Sequence, residues 1–131
     1  MNVIPINGQV WVICGGRDFS DQSMFDNAMS ELTQALGIPR AVVHGCASGA
    51  DQMAAAWGRR LAIDVHGSSP DWKTHGRAGG PIRNQKMLED FKPDVVIAFP
   101  GGSGTADMVR RAHKARESSG VPSKVIEVKP K

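Results

Sequence analysis

A chain of 131 residues and 14.0 kDa is large enough for one sheet with covering helices and too small for two cores. Its 40% apolar and 22% charged residues exclude a disordered or fibrous chain, and its longest apolar run, Val95 to Phe99, is far too short to cross a bilayer. The net charge of +3 and pI near 9.1 suit anionic ligands but fall short of the dense basic stripe of a dedicated duplex-DNA binder.

The amino terminus lacks the basic start and sustained apolar stretch of a secretory signal, which predicts a cytoplasmic protein. One domain is expected over residues 1–131, with residues 1–8 and 129–131 as loosely held ends. Val10-Trp-Val-Ile-Cys14 is a β-branched and apolar run closed by Gly15-Gly16, and reads as a strand buried on both faces. Phe25, Ala28, Met29, Leu32, Ala35 and Leu36 then recur at helical spacing until Gly37.

A second strand follows at Ala41 to His44. Ala50, Met53, Ala54, Trp57 and Leu61 mark the inner face of a second helix opening near Gly49 and Asp51. Ile63 to His66 reads as a third strand. A long loop with Pro70 and Gly76 then leads to Pro81, placed in the first turn of a third helix ending near Phe91. Val95 to Phe99 forms a fourth strand. A fourth helix turns Met108, Val109, Ala112 and Ala115 inward and Arg110, Arg111, Lys114 and Arg116 outward, and Val125 to Val128 completes the sheet.

Strands alternating with helices predict an α/β fold, a single Rossmann-like three-layer domain with a parallel five-stranded sheet ordered 3-2-1-4-5. In that order the first and fourth strands are neighbours with crossovers on opposite faces, so a crevice opens at their carboxyl ends.

Four segments reach that edge: Gly15-Gly-Arg-Asp-Phe19, Gly45-Cys-Ala-Ser-Gly-Ala-Asp51, Ser68-Ser-Pro-Asp-Trp72 and Pro100-Gly-Gly-Ser-Gly-Thr105. Glycine lets backbone approach a ligand, and the amides of a helix start donate to phosphate oxygens. The candidate phosphate loop is therefore Pro100, Gly101, Gly102, Ser103, Gly104 and Thr105, seconded by Gly15, Gly16, Gly45, Ser48 and Gly49. Gly102-x-Gly104 is followed by Asp107 where a dinucleotide fingerprint needs a third glycine, and Gly45 to Gly49 lacks the lysine of a P-loop. No cofactor is expected.

Arg17 and Asp18 follow the first strand, either as a clamp for phosphate or carboxylate or as an internal ion pair. Asp51 is suited to capping the second helix or to accepting a ribose hydroxyl. Arg77, Arg83 and Asn84 flank the start of the third helix, where a cation opposes the helix dipole and so points to a ligand or partner. Trp72, in a polar loop, suits a lid, a stacking platform or a subunit contact. Cys14 and Cys46 read as small core residues. With His44 and His66 they lack the paired spacing of a metal site, and no metal is expected.

Taken in order, Gly15-Gly-Arg-Asp-Phe19, His44-Gly-x-Ala-x-Gly-Ala-Asp51, Gly76-Arg-Ala-x-Gly-Pro-x-Arg-Asn84 and Phe99-Pro-Gly-Gly-x-Gly-Thr105 resemble the SLOG superfamily. The superfamily includes lysine-decarboxylase-like phosphoribohydrolases and the DNA-processing protein DprA, and the resemblance is greatest to its YspA-related, DUF2493-like branch. It implies a Rossmann-like fold binding a nucleotide or a nucleotide-derived, ADP-ribose-like ligand. The phosphoribohydrolases are similar at Pro100 to Thr105 and at an arginine matching Arg83, but use a glutamate where this chain has Met108, with Asp107 beside it. Methionine cannot take a proton, so hydrolysis does not carry over directly.

Two readings stay open. The first is a nucleotide-binding domain, whose enzymatic version would be an N-glycosidic hydrolase with Asp107 or Asp18 as acid or base and Arg83 positioning phosphate. The second is a DprA-like single-stranded DNA binder using Arg110, Arg111, Lys114 and Arg116. A homo-oligomer is expected in either case, because one small domain leaves its pocket shallow.

Overall fold

The computed structural model describes residues 6–130; residues 1–5 and 131, parts of the two ends expected to be loose, lie outside the described residues. Five strands, β1 (Val10–Cys14), β2 (Ala41–His44), β3 (Asp64–Gly67), β4 (Val95–Ala98) and β5 (Lys124–Glu127), form one sheet. Its order is β3-β2-β1-β4-β5 and every pairing is parallel, as the alternation of elements predicts. Helices α1 (Gln22–Leu36), α2 (Ala50–Arg60), α4 (Gly79–Phe91) and α5 (Ser103–Ser119) make the crossovers, and one-turn α3 (Trp72–His75) precedes α4.

The three central strands are apolar on both faces because both faces are covered. Alternation along β1 sends Trp11 and Ile13 to one side, against Phe25 and Met29 of α1 and Ala54 and Trp57 of α2. Val10 and Val12 go to the other, against Met87 and Leu88 of α4 and Met108 and Ala112 of α5. Trp11 and Trp57 stack with ring centroids 6.2 Å apart, and the Trp11 indole N–H donates to Gln9 Oε1 at 2.9 Å, so its burial strands no donor.

Local signals set the ends of the helices. The Asp21 side chain accepts from the Met24 amide at 3.0 Å and caps α1, and Gly37 at φ 91° stops it. At the amino end Ile6 bridges Ile38, and the Asn7 side chain donates to Leu36 O at 2.7 Å, fastening these two residues to the end of α1 and the turn after it. Ala35 is exposed, because α1 needs only a narrow stripe to cover its part of the sheet.

The segment read as a long loop contains α3 and a 3-10 turn over Gly76–Ala78. Asp71 caps α3 by accepting from the Thr74 amide at 3.0 Å, a turn too short to leave a helical period in the sequence. Among the described residues no helix is long and apolar enough to cross a membrane.

Candidate functional site

At the carboxyl edge of β1 and β4 the predicted loops converge on a cleft of about 820 Å³. Gly16 N donates to Pro100 O at 2.9 Å, which joins the β1–α1 loop to the β4–α5 loop. Ser48 Oγ donates to Arg17 O at 3.0 Å and Ala50 N to Gly16 O at 3.3 Å, which join it to the β2–α2 loop. Of the residues singled out in the sequence, Gly15, Gly16, Arg17, Gly45, Ser48, Asp51, Arg77, Arg83, Asn84, Gly102, Ser103, Gly104 and Thr105 line the cleft, as does Asp107. Asp18, Gly49, Pro100 and Gly101 are not among the lining residues.

Helix α5 starts at Ser103, so Gly104 and Thr105 belong to its first turn and not to a loop before it. Its first helical bond is Ala106 N to Gly102 O at 3.0 Å, and Gly102 supplies no side-chain cap. The Ser103, Gly104 and Thr105 amides are thus the orphan donors of the helix start, beside its positive dipole end. A Cβ on Gly101 would lie 2.6 Å from Gly16 N, so glycine is needed there to let the two loops touch. Gly102 and Gly104 differ: a Cβ on either would meet open space, and neither has the positive φ that favours glycine.

Arg83 is half-buried and organises the floor. Its Nη1 donates to Gly45 O and to Ser68 O at 3.1 Å, and its Nε to Asn84 Oδ1 at 3.0 Å. Asn84 Nδ2 in turn donates to Gly104 O at 3.2 Å and to Asp107 Oδ2 at 3.0 Å. The same Asp107 oxygen accepts from Arg111 Nε at 2.8 Å, and Oδ1 from Arg110 at 3.4 Å. Burial alone would raise the Asp107 pKa, but the Arg111 and Asn84 hydrogen bonds and the charges of Arg111 and Arg110 outweigh it and hold the carboxyl below its ordinary value.

A carboxylate with a depressed folded pKa contributes stability that is present above its unfolded pKa, about 3.9, and lost as pH falls through the folded value. Asp107→Asn should therefore lower the urea midpoint at neutral pH, by about 1–3 kcal/mol of stability, with the difference from wild type closing below about pH 4. A pH-independent difference would mean that the charge is not what holds Asn84 and Arg111.

Asp51 departs from the expectation that it caps α2. It lies inside the helix, and its Oδ2 reaches back to accept from the Gly45 and Ala47 amides, each at 3.1 Å, while Gly49 is the capping position. Burial raises its pKa, against the Ala47 and Gly45 amides and the charges of Arg83 and Arg17. Both cysteines are free thiols that reach the cleft wall: Cys14 packs against the core, as its residue type predicts, whereas Cys46 departs from the core reading, being exposed at φ 64°. Burial, with the charge of Asp51, pushes the Cys14 thiol up to about 12, which makes it unreactive. His44 Nδ1 accepts from the Cys46 amide at 3.0 Å, and its pKa is lowered by burial and by Arg59 and Arg83, so it is a neutral structural acceptor.

Trp72 is 45% exposed and forms one wall. Its ring packs on Gly79 and Gly80, and the Arg17 guanidinium sits 5.7 Å from its centroid. Arg110, also on the wall, carries no sequence signal beyond its basic neighbours, and the Ser68 carbonyl that anchors Arg83 lies in a segment expected at this edge but carries no residue-type signal of its own. With Arg17, Arg77, Arg83 and Arg110 facing Asp51 and Asp107, the cleft has an excess of positive charge.

A family model described as "YAcAr: YspA, cpYpsA-related SLOG family" matches residues 10–75, the span from β1 to α3. The chain is 34% identical over 113 residues to the Gene 61 protein of Mycobacterium phage D29, a match covering 79% of this chain and 88% of that protein. No solved structure matches.

Proposed function

Because the chain belongs to the YspA, cpYpsA-related SLOG family, whose members bind nucleotide derivatives in general, we propose that its cleft binds a nucleotide-type phosphate ester. The phosphate would lie on the start of α5, with Arg17, Arg83 and Arg110 around it. The observation that carries this reading is the open space beside Gly102 and Gly104. Nothing among the described residues requires glycine at either position, and both border the orphan amides in a cationic cleft, where a side chain would occupy ligand space.

Binding is better supported than hydrolysis. Met108 is buried in the core between α5 and the sheet, and Asp107 is held ionised by donors on both oxygens, so neither suits proton transfer. The single-stranded DNA reading is weakened because Arg111, central to the basic cluster, is engaged by Asp107 and Gln85.

Gly104→Ala tests the reading directly. Alanine in the first turn of α5 meets open space among the described residues, so unliganded stability should be unchanged or rise by about 0.5–1 kcal/mol. Affinity for adenosine 5′-monophosphate, read by calorimetry, should fall about tenfold or more as the methyl blocks close approach. Undiminished affinity in the variant would place the phosphate elsewhere.

A further inference from the structure

Asp51 presents an acceptor that the fold leaves unused. It is only 4% exposed, yet both of its hydrogen bonds, from the Gly45 and Ala47 amides, fall on Oδ2. Among the described residues no fully buried side-chain oxygen lacks a partner, so Oδ1, which accepts no bond within the fold, keeps some access, and the residue is part of the cleft wall. An ionised carboxylate oxygen only accepts hydrogen bonds, and it repels phosphate. The group that meets it must be a donor.

The position of Asp51 says which part of a ligand that is. Asp51 holds Gly45 N, Gly45 O accepts from Arg83, Arg83 donates to Asn84, and Asn84 donates to Gly104 O in the first turn of α5. The free acceptor therefore belongs to the same bonded floor as the phosphate cradle, and the exposed Trp72 forms a separate wall. In a nucleotide, the group next to the 5′-phosphate that carries donors is the sugar.

We infer that Asp51 Oδ1 accepts the adjacent hydroxyls of a ribose whose 5′-phosphate lies on the start of α5, so that the cleft selects ribose phosphates over 2-deoxyribose phosphates. This rests on the phosphate reading above. Discrimination follows because a hydroxyl bonded to a buried carboxylate replaces water there, and its deoxy analogue leaves the acceptor without a donor.

Titration calorimetry on the full chain with adenosine 5′-monophosphate and its 2′-deoxy form, and with ribose 5-phosphate and 2-deoxyribose 5-phosphate, reads the preference. The ribose member of each pair should bind about tenfold or more tightly. Asp51→Asn, with its carbonyl oxygen still able to hold the Gly45 and Ala47 amides, should abolish the preference while keeping the phosphate-dependent part of binding. Equal binding of ribose and deoxyribose forms to wild type would overturn this inference and leave the phosphate cradle standing. Binding of neither would overturn both. A preference that persists in a folded Asp51→Asn variant would remove Asp51 from the role, and if that variant does not fold, the wild-type pairs decide alone.

Discussion

Gly49→Ala is expected to destabilise the domain by about 3 kcal/mol or more, seen as a large drop in the urea midpoint of unliganded protein. Gly49 has φ 72° and ψ −125°, a region that only glycine occupies without strain. A Cβ there would also clash with Gly16 O and stand 2.6 Å from Arg17 O. Relaxation is blocked because Gly16 O accepts from Phe19 N at 3.2 Å and Ala50 N at 3.3 Å, while Gly16 N is bonded to Pro100 O at 2.9 Å. Moving the β1–α1 loop away would unfasten all three loops of the cleft. An unchanged midpoint would show that this junction is loose, and with it the geometry of the cleft.

Gly49 and Gly104 stand alike in the sequence, each in a glycine-rich turn after a strand, and the structure gives them opposite roles. One is required by the backbone and does not line the cleft; the other is dispensable to the fold and lines it. Sequence patterning reports where glycine concentrates but not what lies beside each one, since that depends on loops distant in the chain.

The same distinction runs through the rest of the molecule. Continuous apolar runs such as Val10 to Cys14 and Val95 to Phe99 made the buried strands legible, because burial on both faces leaves a local signature, and their alternation with helices made the parallel order legible. The carboxylates were not legible to the same degree. Asp51 binds amides four and six residues before it, and Asp107 gathers Asn84 from another helix 23 positions away. Cys46 reads as a core residue by type, but its φ of 64° turns it out of the strand line onto the cleft wall. Short α3 was hidden because a four-residue turn, exposed on all sides, has no buried stripe to reveal it.

The remaining large effect is expected at Arg83, where lysine should not substitute. Three donations from one guanidinium hold Gly45 O, Ser68 O and Asn84 Oδ1, and none of them uses Nη2, which is left for a ligand in the cleft that Arg83 lines. The planar fork makes this possible: its five N–H donors point in fixed directions, whereas a lysine ammonium offers three donors from one point and cannot span acceptors on two loops and a neighbouring side chain while also meeting phosphate. Burial pulls the Arg83 pKa down, but a guanidinium starts so high that it stays a cation, and the nearby Asp51 charge favours that form. Arg83→Lys should therefore cost about 1–3 kcal/mol in unliganded stability and weaken adenosine 5′-monophosphate binding by about 30-fold or more, with Arg83→Ala worse on both counts. The two readouts separate its roles. Loss of stability alone, with affinity intact in a folded variant, would make Arg83 a brace for the cleft floor and shift the phosphate contact to Arg17 and Arg110. Loss of both would place its guanidinium at the junction of fold and ligand, where the loops after β2 and β3 meet the first turn of α5.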